Sequence, residues 1–396
     1  MFHTEMVTEQ IFSDWEKLSA WVENEEKSTS RISITGMLEN GADFQEDRIF
    51  GSPDFRLSFT EEGLKSLCYR LGFPLVALEM TKEEELSSRI LNDLLGQDAI
   101  KAQLVNSEFV IDENVKNHSH GQVCGIVSES YVGYSNHSFL NDIDRILSRT
   151  DLSSSGELVL KEAYSINTKL HLRLTSTHIC GIVTGKGGVA EDKTEIGLEF
   201  CNSMVGDAAV SIDYFLYRLV CANGLILPAG SSGARVIHSG KSKNFSSRLG
   251  RAFNDVFSRM EEKSLYIKQL SDIIFSPKRL AELKLSKMLF DIIPTSKSTV
   301  IEKHRNIFND FLFKKLSAED RLRREELAIS YLPHCFAGEL SKAVFNSSYR
   351  DNASMFDLIN VFTEYAKEKQ PAEMIRIQKR SGQLADWVIN NKKKFN

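Results

Sequence analysis

The chain carries few of the marks that usually announce an activity. Only six of its 396 residues are cysteine, and Cys68, Cys124, Cys180, Cys201, Cys221 and Cys335 form no C-x-x-C pair. Most sit in apolar or strand-like runs, the pattern of buried thiols in a reducing compartment rather than of a disulfide framework or a zinc site. No apolar run reaches the length of a helical membrane span, so no membrane association is expected. The opening residues, MFHTEMVTEQIFSDW, lack a basic stretch followed by an apolar one. A secretory leader is therefore not expected, and a cytoplasmic location is. H-E-x-x-H, G-x-S-x-G and the Rossmann glycine pattern are missing, and no local acid pair suggests a glycosidase or nuclease. There is no internal repeat and no low-complexity segment. These absences lean against an enzyme, although catalytic groups can still converge from distant positions.

What the chain does have is an uneven charge. Its formal net charge is −5, yet residues 1–130 hold 24 acids against 11 bases, and residues 231–290 hold 12 bases against 5 acids. An acidic front joined to a basic middle fits either a nucleic-acid-facing surface or charge matching within the protein.

Periodicity divides the chain. Phe12, Trp15, Leu18, Trp21 and Val22 form one apolar helical stripe. RISITGM (31–37) alternates like a strand. A second helix starts at Ser58 or Thr60, buries Leu64, Leu67, Cys68 and Leu71, and stops at Gly72 and Pro74. From 121 the segments GQVCGIVSESY, LVLKEAYSI, LHLRLTST, ICGIVT and EIGLEFCNS read as strands, interrupted by a short helix at 139–147. AVSIDYFLYRLVC and LILP flank Asn223-Gly224, a strong hairpin signal. After 246, Leu249, Phe253, Val256, Met260, Ile267, Leu270 and Ile274 follow a heptad-like spacing, which predicts a long helix packed on the sheet or on a sister subunit. The expected fold is α+β: a central, mainly antiparallel sheet with N-terminal helices and an all-helical C-terminal part. The expected regions are an acidic, mainly helical 1–120, a sheet core at 121–245 and a helical 246–396.

Several motifs fail closer inspection. In VTGKGGVAEDKTEIG (183–197) the glycines and Lys193-Thr194 have the wrong interval for a phosphate loop, and a strand follows where a helix is needed. His118, His120 and His137 lack carboxylate or thiolate partners at ligand spacing, so no metal and no cofactor is expected. Arg218 is more informative. It lies inside a strand, where it either braces the hairpin through Asp207, Asp213 or a carbonyl, or meets a phosphate. Arg235 and His238 pose the same choice and lead into Lys241, Lys243, Arg248 and Arg251, a run able to neutralise several phosphates. Asn202, Gly206, Asn223 and Gly224 are expected at turns.

NSMVGDAAVSIDYFLYRLVCANGLIL (202–227) followed by GARVIH resembles the core pattern of phage/plasmid-like proteins grouped as a domain of unknown function, number nine-three-two. LSFTEEGLKSLCYRLGFP, CGIVSESYVGYSNHSFLNDI and SMFDLINVFTEYA, with Asn360 and Thr363, resemble further segments of that family in the right order. The resemblance spans most of 57–366. It implies an origin on phages, plasmids or integrated elements and carries no activity with it.

Three functions follow as expectations. The first is a nucleic-acid partner, bound as by a single-strand-binding or annealing-type accessory factor, with Lys241, Lys243, Arg248 and Arg251 tracking the backbone. Arg218 and Arg235 would fix phosphates there, and Tyr214 or Tyr217 would offer a stacking face. The second is a phage–host conflict protein that binds another protein, with homo-oligomerisation through the heptad-like helix. The third is a nuclease or nucleotide hydrolase in which Asn202, Asp207, Arg218, Asn223 and His238 converge.

Overall fold

The computed structural model describes residues 10–45, 49–52, 55–81, 84–114, 120–150, 157–166, 168–183, 192–206, 208–219, 222–228, 235–238, 245–293, 317–332, 344 and 353–395. Asp207, His118, Lys241, Lys243, Cys221, Cys335 and the glycine-rich 184–191 lie outside the described residues. The elements run β1 Gln10–Phe12, α1 Trp15–Ser28, β2 Thr29–Ser33, α2 Ile34–Glu39, β3 Asp43–Phe44, β4 Phe50–Ser52, β5 Phe55–Phe59, α3 Glu61–Arg70, α4 Leu75–Met80, α5 Glu84–Leu95, α6 Asp98–Leu104, β6 Ser107–Asp112 and β7 Gly121–Ser128. They continue with α7 Asn136–Arg149, β8 Leu158–Ile166, β9 Lys169–Val183, β10 Asp192–Ser203, β11 Val210–Arg218, β12 Asn223–Leu227, β13 Arg235–Val236 and α8 Phe245–Phe257. The last are α9 Ser264–Asp272, α10 Pro277–Glu282, α11 Ser286–Ile292, α12 Ala318–Tyr331, α13 Met355–Ala366 and α14 Pro371–Asn390.

The fold is α+β, with the larger sheet wholly antiparallel. Its order is β1-β8-β9-β10-β11-β12, with β13 also pairing β11. The strands from 121 onward were expected to share one sheet, but β7 leaves it. It joins a second sheet of order β2-β6-β7-β5-β4-β3, antiparallel except where β5 runs parallel to β7. The reason is covering. α3 closes over β7, with the Thr60 hydroxyl accepting from the Gly63 amide and donating to the Val123 carbonyl, and Leu64, Leu67 and Cys68 enter a core with Phe50, Phe109 and Val123. The acidic N-terminal region thus has a β-sheet core of its own beneath its helices.

The ladders of the larger sheet shift register at Glu195/Gly197 and Leu160/Glu162, but between those irregularities the side chains alternate and the two faces have distinct characters. Leu170, Leu172 and Leu174 of β9, Ile196, Leu198 and Phe200 of β10, and Ile212, Tyr214 and Leu216 of β11 share one apolar face. α8 and α9 seal that face through Leu249, Phe253, Val256, Ile267 and Leu270, all nearly inaccessible. The heptad-like stripe is therefore consumed inside the chain rather than offered to a sister subunit. It is also not one helix: α8 ends at Phe257, a 3-10 turn occupies Glu261–Lys263, and α9 follows, leaving Ile274 60% exposed. The opposite face of the sheet, polar by sequence, lies beneath α14. That helix starts at Pro371, whose missing N–H costs nothing in the first turn. Gly382 lets it approach so closely that a Cβ there would fall on the Ile226 carbonyl. No helix among the described residues is long and apolar enough to cross a membrane.

Candidate functional site

The structure separates the residues that the sequence grouped. Arg218 pairs across the ladder with Asn223 and Thr194 at one end of β11, whereas Arg235 pairs with Ser211 at the other. Seven residue steps of an extended strand put them roughly 23 Å apart, too far to fix one phosphate together. Arg218 lies on the apolar-face side, its guanidinium 5.9 Å from the Phe356 ring of α13. Asp213, an odd-numbered neighbour, points to the other face and meets Lys379. Asn223 and Gly224 begin β12 rather than forming the turn tip. Ala222, one step earlier, has a left-handed φ of 48°. Asn202 is buried in β10 and donates to the Tyr134 carbonyl and to Asn136 Oδ1. Gly206 sits beyond the strand at φ 72°, against the Tyr131 ring.

His238 is buried among rings, stacked on Tyr131 at 5.4 Å and close to Tyr134 and Phe245. Among the described residues, then, the proposed hydrolase set does not converge: Asn202 and His238 lie near Tyr134, and Arg218 lies far along the sheet. Tyr214 is 1% exposed and bonded to the Val256 carbonyl, so it offers no stacking face. Tyr217 is half-buried and already carries Lys161 4.1 Å above its ring.

Arg235, Arg248 and Arg251 remain together at the surface. Arg235 and Arg251 are exposed, and Arg248, half-exposed, donates to the Ile237 carbonyl at 3.2 Å, which ties α8 to the end of β13. A line of rings and cations underlies this edge: Arg31 over Tyr131, then His238, Phe245 and Arg248, each 5.4 to 5.9 Å from the next. Cation–π and stacked contacts of this kind hold the edge in one shape.

The most highly organised polar cluster escaped the sequence reading. Glu162, Arg173, Glu199 and Asp213 lie on one rung across β8, β9, β10 and β11. Arg173 is wholly buried. Its Nε donates to Glu199 at 2.8 Å, and its two terminal nitrogens to Glu162 and to Gln378 of α14, each at 2.6 Å. The rings of Tyr164 and Phe215 flank its guanidinium at 5.0 and 4.8 Å. Lys379 reaches Glu199 at 3.2 Å and Asp213 at 3.8 Å. On the adjacent rung His171 stands opposite Cys201, with Nδ1 3.2 Å from Glu199 and Nε2 3.7 Å from the sulfur.

Burial opposes charge on Glu199, His171, Arg173 and Lys379, yet the partners prevail. Lys379, Arg173 and His171 hold the Glu199 carboxyl far below the usual range against its own desolvation. Burial likewise works against the His171 cation, but Cys201 and Glu199 raise it to about 9. Arg173 and Lys379 are also raised, by the carboxylates around them. Arg173, Lys379 and His171 thus face the carboxylates of Glu162, Glu199 and Asp213.

A cavity of about 510 Å³ is bordered by His178, Cys180, Glu261 and Glu262, and one of about 390 Å³ lies between α10 and α12. Neither reaches the cluster. Among the described residues no group of three or more His, Cys, Asp or Glu side chains is arranged to hold a metal. His120 instead accepts from the Arg56 amide, and His137 bonds Asn141.

The family model described as "Domain of unknown function (DUF932)" matches residues 123–388. That is well over half of the chain, running from β7 to the end of α14. The chain belongs to this family. No curated protein and no solved structure is significantly similar to it. The DUF932 match takes in both the basic edge and the buried charge rung. It begins beyond α3, so the stretch LSFTEEGLKSLCYRLGFP lies outside the match. Asn360 and Thr363, within the matched range, are buried in α13, where the Thr363 hydroxyl donates to the Asn360 carbonyl.

Proposed function

We propose that this DUF932 chain is a cytoplasmic, nucleic-acid-associated protein of mobile elements, of the single-strand-binding or annealing-accessory type. The observation that carries the reading is the edge formed by β13 and α8. Residues 235–251 include five bases and no acid, and Arg235, Arg248 and Arg251 occupy one rim braced by the Tyr131–His238–Phe245 stack. Such a rim neutralises backbone phosphates without reading sequence.

The test is fluorescence anisotropy of nuclease-treated protein with labelled single- and double-stranded DNA and RNA across a salt series. Three phosphate contacts on a single strand correspond to a log–log salt slope of about −2. Arg235→Glu, Arg248→Glu and Arg251→Glu combined should remove both the binding and the slope. Absence of salt-sensitive binding at low ionic strength sinks the reading, as does unchanged binding by the triple variant.

A second reading, binding to a protein in phage–host conflict, is favoured by one specific feature. Tyr69, Val76 and Met80 on α3 and α4 are 85%, 64% and 76% exposed. Large apolar side chains grouped this way mark contact surfaces. Capture of one stoichiometric protein, lost on Tyr69→Ser with Met80→Ser, would support it.

A further inference from the structure

Cys201 stands apart from the other described thiols. It faces His171 directly across the β9–β10 ladder, with the sulfur 3.7 Å from Nε2. The other ring nitrogen is held by Glu199, and Glu199 is itself fixed by Arg173 and Lys379. Nucleophile, base and orienting carboxylate are thus in line, the order in which protein nucleophiles are activated. A histidine beside the sulfur is the partner that takes up a cysteine proton on the way to the reactive thiolate.

We propose that Cys201 is a reactive thiol, deprotonated by His171, that hydroperoxides oxidise to the sulfenic acid. The thiolate sulfur attacks the terminal oxygen of the peroxide. An S–O bond forms, the O–O bond breaks, and its electron pair leaves on the departing alkoxide or hydroxide. That anion takes the proton from His171 Nε2, giving an alcohol or water. Sulfur is oxidised by two electrons and the peroxide is reduced by two.

Two other thiols supply the contrast. Cys68 is 1% exposed inside the apolar α3 core. Burial pushes the Cys124 thiol up to about 12, with Asp112 adding to the effect. Cys201 is 5% exposed, but its rung continues through Ser211 to Arg235, an exposed residue at the edge of the sheet. Lys379, the other side chain over it, is about one third exposed. The proposal is confined to hydroperoxides because neither cavity described above is lined by Cys201 or His171. The imidazolium persists through neutral pH because His171 is raised to about 9.

The full chain is treated with limiting hydrogen peroxide in the presence of dimedone, and each cysteine peptide is quantified by mass spectrometry. Cys201 should label about tenfold faster than Cys68 and Cys124. His171→Gln should cut that rate about tenfold while Cys68 and Cys124 keep theirs. Should the variant fail to fold, the ratio of Cys201 to Cys68 labelling in the unaltered chain carries the same test. Labelling of Cys201 no faster than Cys68, or only in urea, overturns the proposal.

Discussion

Replacing Glu199 with glutamine is the sharpest test of the buried charge rung. The carboxylate is completely inaccessible and accepts contacts from Arg173 at 2.8 Å, and from His171 and Lys379 at 3.2 Å each. An amide of the same shape keeps some hydrogen bonding but removes the charge that compensates three buried or half-buried cations. Breaking a buried pair from one side costs about 3–5 kcal/mol, because the partner is left uncompensated. Against a total stability of about 5–15 kcal/mol this is a large fraction. Glu162→Gln is the internal control. Glu162 meets Arg173 through one contact at 2.6 Å, and its side chain is 24% exposed. Water can replace that partner, so its loss should cost about 1 kcal/mol, as for a partly screened pair. Urea unfolding followed by circular dichroism measures both, with equal m-values required for the comparison. If Glu199→Gln loses less than about 1 kcal/mol, or no more than Glu162→Gln, the rung is not the clamp described here.

Titration supplies a second prediction. His171 has a folded pKa of about 9 against an unfolded value near 6.5, so its contribution is complete below about pH 6.5 and is lost as pH rises through 9. Denaturant midpoints should therefore fall across that alkaline window, and His171→Gln should flatten the fall. Glu25 on α1 behaves differently. Burial raises its carboxyl to about 7 although Asn136 donates to it, so stability is lost as pH climbs from the unfolded value through 7. Glu25→Gln should then raise the melting temperature at pH 8 and leave it unchanged at pH 4; a lower melting temperature at pH 8 would refute the assignment. Gly382→Ala would set a methyl against the Ile226 carbonyl and push α14 off β12. A loss of about 1–3 kcal/mol, the usual range for overpacking, is expected in urea unfolding, and a neutral result would mean that the helix sits farther away.

The elements themselves were legible from local pattern. LHLRLTST and EIGLEFCNS alternate with period two, and the structure makes them β9 and β10. Leu64, Leu67, Cys68 and Leu71 follow the helical period, with Gly72 and Pro74 after them, and α3 ends there. The pairing of those elements was not legible. The strand at 121–128 has the same apolar alternation as its successors, and only α3 folding over it places it beside β5 and β6. A seven-residue spacing across 249–274 describes an apolar stripe, not a continuous helix, because a turn at 258–263 can preserve the stripe while changing direction. Asn-Gly marks a tight reversal, yet the left-handed residue is Ala222, one position earlier, and the pair enters β12.

The basic run from 235 to 251 was visible as composition. That Arg235 and Arg218 sit at opposite ends of β11, and that His238 is a core ring, required the strand register. The charge rung was beyond sequence altogether. His171, Arg173, Glu199 and Cys201 fall on the polar half of their alternation, which by itself means a solvated face. Gln378, 205 positions from Arg173, turns that face into an interior by bringing α14 down upon it. Alternation along a strand is a local property set by backbone geometry. Whether the polar side meets water or a helix depends on contacts between distant parts of the chain, and burial is what gives those charges and that thiol their chemistry.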